Sequence, residues 1–143
     1  MMAGIRGKNT KPEMFVRKAL HHAGFRYRLH VKDLPGKPDI VLPKHRALIF
    51  VHGCFWHSHD CHLFKWPKSR EEFWRKKLLG NKAGDANHLV ELQKAGWRVL
   101  VIWECSLKGR TRLNPDALAA CAVRWLKGRS RAGAISGRAI HPR

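Results

Sequence analysis

Three histidines, two cysteines, a Phe-Trp pair and an aspartate fall within one short stretch, Val51–Cys61, VHGCFWHSHDC. Imidazoles and thiols are the side chains that hold borderline metals or move protons near neutral pH. Cys54, His59 and Cys61 offer three ligands suited to tetrahedral zinc, which needs a fourth from elsewhere. Cys105 closes the apolar run WRVLVIW, where a side chain can meet a loop leaving a neighbouring strand, and is the expected fourth ligand. Cys121 lies at helical spacing from Leu118, Ala122 and Trp125 and is expected to be a core thiol. Spacing alone leaves His52, His57 and His62 as rival ligands. Phe55 and Trp56 sit among these groups rather than among aliphatics, which marks a site more than a core. Asp39, in LPGKPDIV, opens a strand whose return partner carries it close to residues 50–52, opposite the histidine-rich loop.

The elements that must position these groups follow from capping and periodicity. Thr10 is a cap for a helix over Lys11–Ala23, with Pro12 and Glu13 in its first turn and Gly24 beyond its end. Phe25–Val31 alternates as a strand, Ile40–Leu42 and Ala47–Val51 form a second and third, and Trp97–Trp103 reads as a strand buried on both faces. Ser69 is expected to cap a helix running to about Leu79, which carries Phe73 and Trp74. A separate helix is expected over Ala86–Ala95, and Asn114-Pro115 opens a last one to Lys127. The order α-β-β-β-α-α-β-α predicts an α/β sandwich around a small mixed sheet. Residues 1–128 make one domain, and residues 129–143 are expected to be a basic, flexible tail.

Charge narrows the partner. Twenty-nine Lys and Arg against ten Asp and Glu leave a formal charge of +19, which points to a polyanion, with nucleic acid first among them. Six tryptophans among those cations suit base stacking. No apolar run approaches the roughly 18 residues of a membrane span, and the basic start lacks a following apolar signal region. A cytoplasmic protein is expected, in which four cysteines serve as thiols or metal ligands rather than disulfides.

Taken together, LPGKPDIV, FVHGCFWHSHDC, EFWRKK and GWRVLVIWEC resemble the very short patch repair endonucleases, over about Ile5 to Leu126. The resemblance implies a restriction-endonuclease-like (PD-(D/E)xK-type) core and nicking of DNA beside a T:G mismatch left by deamination of 5-methylcytosine. It implies that Asp39 and the backbone carbonyl of Val51 hold a catalytic magnesium ion and that His57 activates the attacking water. His52 and Glu13 would support the active site, while Cys54, His59, Cys61 and Cys105 would hold a structural zinc. Phe55, Trp56 and Trp74 would wedge into DNA at the mismatch. A magnesium ion wants oxygen ligands and zinc accepts sulfur and nitrogen, so two metals with two tasks fit the residue types.

Related restriction folds carry Glu-x-Lys on the second strand, where Phe50-Val51-His52 stands here, so a histidine replaces the usual lysine. Position 51 is usually threonine in the family; valine keeps the carbonyl and removes a hydroxyl. The basic segment before the first motif is short, which is expected to weaken DNA affinity more than chemistry. A monomer acting on T:G-mismatched duplex DNA is the expectation, with methylase or mismatch-repair partners left open. Two rivals stand beside it: a zinc-stabilised DNA-binding protein without catalysis, and a nuclease of the same fold acting on matched DNA.

Overall fold

The runs ALIFV and RVLVIW are almost unbroken apolar sequence, and strands of that kind need cover on both faces. In the computed structural model, which describes residues 10–138, they become β3 (Ala47–His52) and β4 (Arg98–Trp103), paired in parallel. On one side β2 (Ile40–Leu42) and then β1 (Arg28–Leu29) extend the sheet antiparallel. On the other side β5 (Ala132–Ile135) adds in parallel, giving the order β1-β2-β3-β4-β5. Helices α1 (Lys11–His22) and α3 (Pro115–Lys127) cover one face, where Val16, Leu20, Leu118 and Leu126 pack with Ile49 and Ile102. Helix α2 (Glu71–Lys94) covers the other, setting Leu92 against Leu48, Phe50 and Val99. The architecture is therefore α/β, a mixed five-stranded sheet between helices. No helix among the described residues is long and apolar enough to cross a membrane.

Strand alternation decides what each end of β3 presents. Ile49 packs into the α1/α3 core and Val51 against it, whereas Phe50 and His52 turn toward α2. The chemistry-bearing loop begins where β3 runs out, at the carboxyl ends of the two central parallel strands.

Four sequence expectations change. The strand over Phe25–Val31 shrinks to Arg28–Leu29, because Phe25 is drawn into the core and its ring lies 5.1 Å from that of His45. The two helices expected over 69–79 and 86–95 are one continuous α2. Gly80 and Gly84 lie in the gap between the two expected helices, and each costs a helix about 1 kcal/mol relative to alanine. Tertiary contacts outweigh that cost: Leu78 and Leu92 are both fully buried, and Asn81 donates to the Trp56 carbonyl at 3.2 Å. Arg70, in left-handed backbone, precedes that helix in place of a capping Ser69. Residues 132–135, expected in a flexible tail, form β5 instead; residues 139–143 of that tail lie outside the described residues. Ala-Gly-Ala-Ile has little strand propensity of its own. A Cβ on Gly133 would stand 2.5 Å from Trp125 Nε1, so the pairing depends on a residue small enough to pass under that indole.

Candidate active site and metal centre

The loop after β3 folds back at once, with His57 N–H donating to the Gly53 carbonyl at 3.2 Å and His59 N–H to Cys54 at 2.9 Å. That tight turn, with Ser58 in left-handed backbone, brings Cys54, His59 and Cys61 to one point. Cys105 reaches the same point from the turn after β4, so the four ligand atoms lie within 4.8 Å of one another. His59 Nδ1 stands 3.5 Å from Cys54 Sγ and 3.6 Å from Cys105 Sγ. Its ring stacks on Trp103 at 4.1 Å, which fixes its orientation. Burial raises the Cys54 thiol well above its usual range and the Cys105 thiol in the same direction, so both favour the neutral form until a cation joins them. Glu104 Oε1 accepts from Cys54 N–H at 3.1 Å, and Gly137 N–H donates to Cys105 Sγ at 3.2 Å. A closed set of three thiols and one imidazole is the donor chemistry of a structural metal centre. His62 points instead to Thr111, and Cys121 packs against the α1/α3 core, so neither belongs to this set.

A second cluster forms at the amino end of β2. Asp39 Oδ2 accepts from Val51 N–H at 2.7 Å, which ties the carboxylate to β3 beside the Val51 carbonyl. Glu13, fully buried in the first turn of α1, lies beside it, and His30 Nε2 donates to Glu13 Oε2 at 2.7 Å. Arg17 adds a contact to the same oxygen at 3.5 Å. One ligand atom each from Glu13, His30 and Asp39 falls within 4.8 Å of the others, so two carboxylates and a nearby carbonyl offer the oxygens that a hard cation prefers.

Burial raises the Asp39 carboxyl from 3.8 to about 6, opposed mainly by the Val51 N–H bond and reinforced by Glu13. The folded chain thus holds this proton more tightly than the unfolded one. The ionised carboxylate costs about 3 kcal/mol of stability, and that cost accumulates as pH rises through roughly 4 to 6. Asp39→Asn keeps an acceptor for Val51 N–H and removes the charge. In magnesium-free buffer it should be the more stable protein, by a gap about 1 kcal/mol wider at pH 7 than at pH 5. Urea unfolding at both pH values measures this, and a pH-independent gap overturns the assignment. His52 shifts oppositely: burial, then His57, lowers it to about 3, so its contribution is full above pH 6.5 and is lost as pH falls. The difference between the two proteins cancels it.

The third group faces α2. His57 Nδ1 donates to Asp85 Oδ2 at 2.5 Å; a carboxylate can only accept, so the proton is on Nδ1 and Nε2 is left to accept one. The His57 ring stacks flat on His52, with centroids 3.7 Å apart and planes 5° from parallel. His52, His57, Asp85, Lys82 and Trp103 line a cavity of about 380 Å³ between the loop and α2. Phe55, Trp56 and Trp74 form a mutually packed trio with ring centroids 5.2, 5.7 and 5.9 Å apart, all half-buried and outside the two apolar cores. Phe64 extends the trio to Trp66, a ring covered by the Arg75 guanidinium at 4.6 Å.

Sequence reasoning passed over two residues that the fold brings into these clusters. Asp85 was hidden by the expected break in α2, although a signal existed: it lies seven residues from both Leu78 and Leu92, inside the buried stripe of one continuous helix. His30 looked like the outward position of a strand, and only the distance to Glu13 reveals it.

Comparison with known proteins places this chain in a group. The family model described as DNA mismatch endonuclease Vsr matches residues 1–63. The DNA mismatch endonuclease Vsr of Escherichia coli K12 is 40% identical over 140 residues, covering 98% of this chain and 90% of that protein. The Type II nicking enzyme V.XorIIP of Xanthomonas oryzae is 51% identical over 107 residues, covering 75% of this chain and 79% of that enzyme. The Type II nicking enzyme V.NmeAIP of Neisseria meningitidis is 48% identical over 118 residues, covering 80% and 84% respectively.

Proposed function

This chain belongs to the Vsr family of DNA mismatch endonucleases, strand-nicking enzymes of very short patch repair, and from that premise we propose how its own residues do the work. The substrate is duplex DNA carrying a T:G mismatch, one strand of which is hydrolysed beside the mismatch by a monomer with a restriction-endonuclease-like core. Asp39, the Val51 carbonyl and the neighbouring Glu13 would hold magnesium, and Cys54, His59, Cys61 and Cys105 would hold zinc. The observation that carries the reading is the Asp39 carboxylate, buried and tied to Val51 N–H beside a second buried carboxylate. Two acids driven out of water side by side are costly without a cation.

When bound, magnesium supplies charge stabilisation at the scissile phosphate. The remaining work falls to the chain. His57 Nε2, freed by the Nδ1–H bond to Asp85, takes the proton from the attacking water. Asp85 fixes the ring and steadies the imidazolium that results, as a carboxylate does for any histidine base. His52 is neutral and packs flat on that ring, restricting its rotation without adding a competing charge. The net charge of +19 draws the phosphate backbone to the surface.

Mismatch choice needs a group that tests base stacking, since a carboxylate cannot tell T:G from T:A. The Phe55, Trp56 and Trp74 trio has the size and exposure for it. Opening a step costs a few kcal/mol, and aromatic contact returns about 1–3 kcal/mol per base, so insertion wins where the pair is already weak. Trp56→Ala should lower single-turnover nicking of a T:G duplex by roughly 5- to 150-fold, the loss of one such contact. Nonspecific binding to a T:A duplex of the same flanks should hardly change. A variant that retains the parent's T:G over T:A preference removes the trio from discrimination. The same assay with and without magnesium tests the cation: equal nicking in both overturns that part of the reading.

A further inference from the structure

We infer that His30 is a positioning residue for the carboxylate pair, gripping Glu13 with its side chain and Asp39 with its main chain so that both face one cation position. The inference rests on the proposed reading of Asp39 as a ligand of the divalent cation.

The geometry around His30 has three independent parts. Its imidazole Nε2 lies 2.7 Å from Glu13 Oε2, and since a carboxylate only accepts, Nε2 carries the hydrogen and donates. Its backbone N–H donates to the Asp39 carbonyl at 3.1 Å, so one residue spans the two acids. Its backbone is left-handed, with φ 49°, although it is not glycine. A side-chain-bearing residue adopts that conformation at a cost, and such residues cluster where surrounding structure needs a side chain aimed in one direction. Here the consequence of that conformation is legible. Immediately after the short strand β1 the chain turns, and the ring is directed back toward α1 instead of outward to solvent.

Glu13 needs such a partner. Its carboxylate is almost completely buried, whereas the His30 side chain is 22% exposed. A buried carboxylate left to rotate would satisfy itself by turning away from its neighbour of like charge. The His30 hydrogen bond, with Arg17 on the same oxygen, opposes that turn and leaves Glu13 within reach of Asp39. Positioning of this kind lowers the cost of bringing a cation between the two acids, because the oxygens are already assembled. It should act on how much cation is needed and leave the grip on the phosphate backbone as it was.

The test uses the full chain with zinc retained, the variants His30→Ala and His30→Gln, and Asp39→Ala as a control. Magnesium is titrated in single-turnover nicking of a T:G duplex, and duplex affinity is measured separately without divalent ions. His30→Ala should raise the half-saturating magnesium concentration at least tenfold, with duplex affinity within twofold of the parent. His30→Gln, whose amide N–H can reach the same oxygen, should stay within about threefold of the parent. In a Glu13→Gln background, His30→Ala should add little, because the carboxylate it positions is gone. An unchanged magnesium requirement in His30→Ala overturns the inference. So does a His30→Gln variant as impaired as His30→Ala, or a loss confined to thermal stability and maximal rate. If Asp39→Ala still nicks in a magnesium-dependent way, the underlying reading of the cation site fails instead, and the two failures are told apart.

Discussion

Cys105→Ser is expected to give protein that does not fold stably, while Cys121→Ser behaves nearly as the parent. Three thiols and one imidazole converge at the first site, and two of the thiols are held neutral by burial until a metal joins them. A structural zinc contributes on the order of 10 kcal/mol, against a whole-domain stability of about 5–15 kcal/mol. Serine keeps the size of the side chain but binds zinc poorly, so most of that contribution is lost. Cys121 lies on α3 and packs against the α1/α3 core away from any ligand, and its conversion costs only the burial of one hydroxyl. Zinc content by metal analysis and urea unfolding of both variants decide the matter. Equal damage from both substitutions, or a fully folded protein after zinc removal, would mean that the four residues are not a structural centre.

The second large effect is catalytic. Asp39→Ala should reduce nicking by roughly 10³-fold or more, a loss of several kcal/mol of transition-state stabilisation. His57→Ala should reduce it by roughly 10²- to 10⁴-fold, the range for removal of a general base. DNA affinity should stay the same or tighten for Asp39→Ala, because a negative charge facing phosphate disappears. That pairing of lost chemistry with retained binding separates a catalytic carboxylate from a structural one. A zinc-stabilised binding protein without catalysis would nick no better as the parent than as the variant. Normal nicking by Asp39→Ala would put the cation elsewhere.

How much of this was legible in the sequence depended on how local the cause was. Cys54, His59 and Cys61 lie within one loop, and Cys105 ends an apolar run that reads as a central strand, so residue type and spacing brought these four forward. They left His52, His57 and His62 as rivals, which only the folded geometry separates from the cluster. Asp39 was legible for a similar reason, since Pro38 can only precede or open a strand and the return turn is short; β2 itself starts at Ile40, one residue beyond Asp39. Helix α1, with Thr10 as its cap, and α3, with Asn114, also followed from local signals. What escaped was decided by contacts between distant segments. Gly80 and Gly84 lower local helix propensity, yet α2 runs through them because Leu78 and Leu92 are anchored on the loop and the sheet, and only then does Asp85 reach His57. The strand at 132–135 exists because β4 offers an edge, not because its own residues prefer to be extended.

The two central strands end level: His52 is the register partner of Trp103, and Cys54 and Cys105 each stand two residues further along. Equal overhangs bring the thiols together only when the strands are paired in this one alignment. A slip of one residue would turn the side chains of one strand to the opposite face and carry its cysteine away from the other. Parallel strands separated by more than forty residues of intervening chain have many misaligned pairings open to them while they fold. A metal that binds only where all four ligands meet would favour the aligned pairing over every other. It would thus act as a proofreader of strand alignment during folding, rejecting mispaired sheets before Asp39 and Glu13 beside the neighbouring strand are ever brought together.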